Sequence, residues 1–155
     1  MIQNIGIVGS GQMGAGIAHV AALADRNIVL LDVNEAALNK ALEAIERNIQ
    51  RQVSRGKLDD GAAEKALKRI ITTTDYSDFN AADLVIEAAT ENEDIKRKIF
   101  ETLVPNLSKE ALIASNTSSI SITRLASTTD RPGKFIGMHF FNPVPIMQLV
   151  ELIRG

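Results

Sequence analysis

The sequence predicts an α/β fold: a doubly wound, mostly parallel sheet with helices on both faces. Three observations carry that prediction. Short β-rich runs alternate with longer helical patterns along the whole chain. Most of those runs are rich in Val, Ile and Leu without polar alternation, as strands covered on both faces require. The first run feeds directly into a glycine-rich turn that opens a helix.

Taken in order, the first strand is expected over Ile2–Val8, followed by a helix near 12–25 in which Gly16 and Ala18 supply small residues where it crosses the sheet. The second strand is expected over Asn27–Asp32. Two helical patterns, 35–56 and 59–69, then break at Gly56-Lys57 and occupy a place where one crossover helix would do. Strands follow over Ile70–Thr74 and Asp83–Glu87. The helix expected over 92–104 opens with a capping-box pattern, Thr90-Glu91-Asn92-Glu93, and Ile95, Ile99 and Leu103 recur along one face. A strand at Ala111–Ser115, a short helix near 120–127 and a strand at Lys134–Phe140 come next. The last strand, Met147–Ile153, is expected to return beside the sixth. Such alternation implies right-handed crossovers.

Composition narrows the class. The chain has 155 residues, 17 basic and 19 acidic, for a net charge of −2. No positive field exists to attract nucleic acid or an anionic membrane. Hydrophobic residues make up 45% and charged residues 23%, which supports a packed core rather than disorder. The absence of cysteine excludes disulfides, thiolate metal sites and a cysteine nucleophile, and no metal site is expected. Apolar stretches such as Ile28-Val29-Leu30-Leu31 are far shorter than the ~20 residues of a membrane span. No cationic segment precedes a hydrophobic one at Met1-Ile2-Gln3-Asn4, so no secretion signal is expected. The expectation is a soluble, cytoplasmic, single domain over 1–155.

Gly9-Ser10-Gly11-Gln12-Met13-Gly14 is a G-x-G-x-x-G pattern at a strand-to-helix junction. Gly9 permits the tight turn, Gly11 admits a pyrophosphate to the backbone, and Gly14 lets helix and strand pack closely. The helix N-terminus adds free N–H groups and partial positive charge. Asp32 ends the second strand where a carboxylate accepts from an adenosine ribose. It also repels a 2′-phosphate, so NAD is favoured over NADP. These features predict a Rossmann-type dinucleotide site; a structural turn and a different adenine ligand stay open as alternatives.

Ligands in open α/β sheets sit at the carboxyl ends of strands. There the chain places Ala89, Thr90, Glu91 and Asn92, with Lys96 one turn later, and then Ser115-Asn116-Thr117-Ser118-Ser119. Capping and solvated charge explain these equally well. The sixth strand delivers His139-Phe140-Phe141-Asn142-Pro143-Val144-Pro145. A lone histidine in an apolar strand is usually a core residue, and His19 in the first helix fits that description. For His139, Glu151 in the returning strand would hold the imidazole tautomer, while Phe140 and Phe141 exclude water and the two prolines stiffen the following chain. Arg47, Arg51 and Arg55 share one helix face; a solvated stripe, with Glu43 supporting Arg47, competes with a phosphate-binding role.

In order, Gly9–Gly14, Asp32, Val85-Ile86-Glu87-Ala88-Ala89-Thr90-Glu91-Asn92, Ser115–Ser119 and His139–Pro145 together resemble the NAD-binding domain of the 3-hydroxyacyl-CoA dehydrogenase family. Within the family the likeness is to bacterial 3-hydroxybutyryl-CoA dehydrogenases. The resemblance implies NAD-dependent oxidation of a short-chain L-3-hydroxyacyl-CoA to the 3-ketoacyl-CoA. It implies His139 as general base, Glu151 as its orienting partner, and Ser118 on the substrate oxygen beside the cofactor. Glu91, Lys96 and Asn116 fall on cofactor-lining positions, with Ala89 beside them, and Asn142 on the substrate side. A helical hairpin inserted after the second strand docks the CoA portion; this explains the doubled segment 35–69 and assigns Arg51 and Arg55 to CoA. Arginine stands there where relatives tend to carry lysine, which keeps charge but not geometry. Family members continue into an all-helical domain that forms the homodimer and adds a catalytic-site asparagine, so a chain ending at Gly155 is expected to be the cofactor domain alone. Beside the dehydrogenase reading stand two others: an NAD-binding module without catalysis, and a related β-hydroxy-acid dehydrogenase acting on a sugar acid.

Overall fold

A computed structural model describes residues 1–155. Its seven strands are β1 (Asn4–Val8), β2 (Asn27–Leu31), β3 (Ile70–Thr73), β4 (Leu84–Glu87), β5 (Leu112–Ser115), β6 (Phe135–Phe140) and β7 (Val150–Ile153). They form one sheet in the order β3-β2-β1-β4-β5-β6-β7. The first six are parallel, and β7 runs antiparallel on β6. Strand order reverses between β1 and β4, so the carboxyl ends of those strands frame a crevice. The helices are α1 (Gln12–Leu23), α2 (Glu35–Ser54), α3 (Asp60–Lys68), α4 (Glu93–Leu103) and α5 (Ile122–Ala126).

Each face of the sheet has its own core, which explains why the strands read as continuous apolar runs. Ile5, Ile7, Ile28, Leu30, Leu84 and Ile86 point to one face, beneath Ile17, Ala18, Ile45 and Ile49 of the helices. Val8, Leu31, Val85 and Ile113 point to the other, against Phe79, Phe100, Leu103 and Leu125. Phe100 and Phe135 meet edge to face at 5.2 Å, a favourable arrangement of ring quadrupoles.

The doubled segment after β2 is a helical hairpin, α2 and α3, closed at Gly56 with φ +67°. Its apolar face, Leu38, Ala41, Ile45 and Ile49 with Ala63 and Ala66, packs into the α1 side of the core. Four local expectations change. Asn92 caps α4, accepting from the Ile95 N–H at 3.0 Å, because Thr90 Oγ1 is engaged by the Asn92 N–H at 3.1 Å. Glu93 turns instead to Arg97 and Arg124, so no reciprocal capping box forms. The buried face of α4 is Lys96, Phe100 and Leu103, whereas Ile95 is 48% exposed. Gly16 meets Val144 of the segment after β6 rather than the sheet: a Cβ there would lie 2.8 Å from Val144 Cβ. Finally, β7 begins three residues later than expected, since the Ile146 and Met147 N–H groups turn back to the Pro143 carbonyl at 3.0 Å.

Candidate active site

The glycine turn follows from three close approaches. Gly9 adopts φ +100°, its N–H donates to the Leu31 carbonyl at 2.8 Å, and a Cβ would lie 2.6 Å from Ala89 Cα. A Cβ on Gly14 would fall 1.8 Å from the Gly9 carbonyl oxygen. On Gly11 it would meet nothing within 4 Å. Gly9 and Gly14 are therefore glycine for the turn itself, and Gly11 leaves open space above the N-terminus of α1. No side chain caps that helix and no acidic residue sits in its first turn, so its N–H groups remain free for an anion.

Asp32 stands just beyond β2. Its Oδ2 accepts from the Ser10 N–H at 2.9 Å and from Ser10 Oγ at 2.7 Å, and its Oδ1 accepts from the Asn34 N–H at 3.3 Å. Partial burial pushes this carboxyl upward, but the Ser10 hydroxyl and the neighbouring backbone N–H groups outweigh it and hold it below the usual carboxylate range. It is a charged acceptor at the end of β2, the chemistry with which a ribose hydroxyl would pair. A dinucleotide fits this cradle: open backbone at Gly11, free helix N–H groups, and an oriented carboxylate at the next strand end.

Beside the turn lies a cleft of about 270 Å³ at the β1/β4 crossover, whose lining includes Gly11, Gln12, Met13, Ala89, Glu91, Lys96 and Asn116, all expected from the sequence at the cofactor, together with Ala88 and Thr90, which the sequence does not assign to it. Two hydrogen bonds set its walls. Thr117 Oγ1 donates to Glu91 Oε2 at 2.9 Å, tying the β5 loop to the β4 loop. Asn116 Oδ1 accepts from the Phe140 N–H at 2.8 Å, tying the same loop to the end of β6. Lys96 is only 1% exposed, and its ammonium is paired with the fully buried Glu87. Sequence reasoning missed Glu87 and Ser115 as partners of that lysine.

His139 and Glu151 are directly opposed across β6 and β7. His139 Nδ1 lies 3.0 Å from Glu151 Oε2. A carboxylate accepts, so Nδ1 carries a proton, and in the neutral imidazole Nε2 is the nitrogen with the lone pair. Phe141 covers one side of the imidazole, with ring centroids 4.5 Å apart. Ser118 and Asn142 are exposed and make no side-chain hydrogen bonds within the chain. Neither they nor His139 line the crossover cleft.

A second cleft, about 520 Å³, opens between α2 and the segment after β6. Arg51, Arg55 and Lys57 supply three cations to it and no carboxylate lines it; Pro143, Pro145 and Ile146 form the facing wall. Arg47 lies outside it and forms no ion pair with Glu43. Asn48, Gln52 and Lys57 were not singled out from sequence, although Asn48, Gln52 and Arg55 follow the i, i+4, i+7 spacing of one helix face. His19 forms the base of this cleft. It is 1% exposed, burial pushes its pKa down, and Nε2 pairs with Gln52 Oε1 at 2.9 Å.

No helix is long and apolar enough to cross a membrane. Comparison with known proteins agrees with the geometry. A 3-hydroxybutyryl-CoA dehydrogenase of Bradyrhizobium diazoefficiens is 54% identical over all of this chain and 53% of its own length. The 3-hydroxyadipyl-CoA dehydrogenase of Escherichia coli K12 is 44% identical over 99% of this chain and 32% of its own length. Among solved structures, (S)-3-hydroxybutyryl-CoA dehydrogenase from Ralstonia eutropha superposes with a TM-score of 0.98 at 49% identity, covering 100% of this chain and 55% of that one. The chain thus spans about half the length of the 3-hydroxybutyryl-CoA dehydrogenases it matches. Residues 4–155 match the family model described as 3-hydroxyacyl-CoA dehydrogenase, NAD binding domain. The dinucleotide of this site is NAD, and the chain belongs to the 3-hydroxyacyl-CoA dehydrogenase family through its NAD-binding domain.

Proposed function

We propose that this chain is the cofactor-binding part of an NAD-dependent dehydrogenase that oxidises a short-chain L-3-hydroxyacyl-CoA, 3-hydroxybutyryl-CoA above all, to the 3-ketoacyl-CoA. The observation that carries the reading is the His139–Glu151 pair at 3.0 Å, held at the end of the strand that Asn116 fastens beside the cofactor cleft. NAD, when bound, supplies the hydride acceptor. His139 Nε2 takes the substrate hydroxyl proton, and Glu151 stabilises the resulting imidazolium through Nδ1. Ser118, exposed at the β5 end, donates to the substrate oxygen, and Asn142 borders the acyl thioester. Gly9 to Gly14 receive the pyrophosphate and Asp32 the adenosine ribose. Arg51 and Arg55 bind CoA phosphates in the cationic cleft. Dimerisation belongs, on this reading, to the remaining half of the relatives' length.

A second reading is favoured by one observation. Glu151 has a side chain 53% exposed, so water reaches the catalytic pair in this chain by itself. The chain alone then binds NAD without appreciable turnover. Titrating NADH by fluorescence and assaying acetoacetyl-CoA reduction on the same sample separates the two. Binding with turnover supports a self-sufficient enzyme, and binding without it supports the module. Absence of NADH binding contradicts both.

A further inference from the structure

Behind Lys96, which lines the crossover cleft, lies a buried charged cluster that the dinucleotide fingerprint does not require. Glu87, the last residue of β4, is 0% exposed, and Lys96 of α4 is 1% exposed. Glu87 Oε1 accepts from the Lys96 ammonium and from Ser115 Oγ at 2.8 Å; Oε2 accepts from the Ala89 N–H at 3.0 Å. Lys96 also donates to Ser115 Oγ at 3.3 Å. Stability does not account for this arrangement. Well-packed apolar residues commonly replace a buried ion pair at no cost, and Phe100 and Leu103 already continue the same buried face of α4 in apolar form.

What remains is the donor inventory. An ammonium has three N–H groups. Two are taken by Glu87 and Ser115, and the third has no protein acceptor although Lys96 lines the cleft. The adenosine end belongs to Asp32 at β2, so a cleft on the β4/β5 side of the crossover receives the other half of the dinucleotide.

We propose that Glu87 is a positioning residue for the nicotinamide riboside half of NAD: with Ser115 it fixes the Lys96 ammonium so that its third N–H meets an oxygen of that half. Through the Ala89 N–H, the same carboxylate holds the loop against which Gly9 packs. Glu87 touches no ligand itself and acts through Lys96. The proposal rests on reading the crossover cleft as the nicotinamide end.

The test compares Glu87→Gln, Lys96→Met, the E87Q/K96M pair and Ser115→Ala with the unaltered chain. NADH affinity is read by fluorescence, ADP affinity by calorimetry, and folding by thermal midpoint. NADH binding is expected to weaken about tenfold in each of the first three, with no multiplication in the pair, because the two residues act as one unit. Ser115→Ala weakens it a few-fold. ADP affinity stays at its original value throughout, since ADP lacks the nicotinamide riboside. Should Glu87→Gln alone fail to fold with an uncompensated lysine, the charge-neutral pair and Ser115→Ala still decide the matter. NADH affinity unchanged in the pair, losses that multiply, or ADP affinity falling in step with NADH would each overturn the proposal. An unaltered chain that binds NADH no more tightly than ADP would instead remove the reading of the cleft.

Discussion

His139 and Glu151 are cross-strand partners, and the 3.0 Å contact between Nδ1 and Oε2 is a consequence of strand register. Gly137 pairs Ile153, Met138 pairs Leu152, His139 pairs Glu151 and Phe140 pairs Val150. A slip of one residue would turn Glu151 to the opposite face of the sheet. Glu151→Gln is therefore expected to lower turnover by about 100-fold or more while leaving NADH affinity unchanged. Its exposure keeps the effect on stability within about 0.5 kcal/mol. Steady-state kinetics beside a thermal melt check both parts.

Ser10 holds Asp32 with two hydrogen bonds, at 2.9 and 2.7 Å. Losing a charged hydrogen-bonding partner of the ribose costs about 1.5–3 kcal/mol, or about ten- to a hundredfold in affinity. Asp32→Ala should thus weaken NADH by that factor and NADPH by much less, as competitive titration would reveal. The carboxyl is held below its ordinary value of about 3.9, so its contribution to stability is present above that value and lost as pH falls beneath it. Ser10→Ala moves this titration upward, which carboxyl carbon NMR detects directly.

Gly11 and Gly14 separate binding from folding. At Gly14 a methyl group would sit 1.8 Å from a backbone oxygen that cannot rotate away. Gly14→Ala is expected to cost at least about 3 kcal/mol, a drop of roughly 6–12 °C in thermal midpoint. At Gly11 the same methyl group meets no protein atom within 4 Å. Gly11→Ala should melt close to the unaltered chain and bind NADH more weakly.

The cationic cleft makes a prediction about salt. Arg51 and Arg55 are exposed, so reversing both to glutamate leaves the melt nearly unchanged. Acetoacetyl-CoA affinity should fall about tenfold or more, and the remaining binding should lose its ionic-strength dependence. Unchanged affinity would instead favour a substrate without CoA.

The fold was legible because strands covered on both faces leave an unmistakable apolar signature, and because Gly9, Gly11, Gly14 and Asp32 sit at fixed offsets from strand ends. Position at a strand end drew attention to Glu91, Asn116 and His139, but capping and core packing explained them as well, and their proposed roles came from the family resemblance. What escaped depends on partners distant in sequence. Lys96 reads as a solvated charge until Glu87 and Ser115, 9 and 19 residues away, enclose it. On α4 the spacing Ile95, Ile99, Leu103 competes with Lys96, Phe100, Leu103, and only tertiary packing decides between them. Asn92 rather than Thr90 is the cap: both are capping residue types two positions apart, and only the structure shows which one meets a free N–H of α4. His19 and Gln52 meet only because α2 lies across α1.

The most direct test joins this chain to the C-terminal half of the Bradyrhizobium diazoefficiens relative and compares it with the same fusion carrying His139→Ala. NADH binding and NADH-dependent reduction of acetoacetyl-CoA are measured on each sample. The account predicts equal NADH affinity in the two proteins and loss of turnover, by at least about 100-fold, in the variant. Undiminished turnover with alanine at position 139 would contradict it.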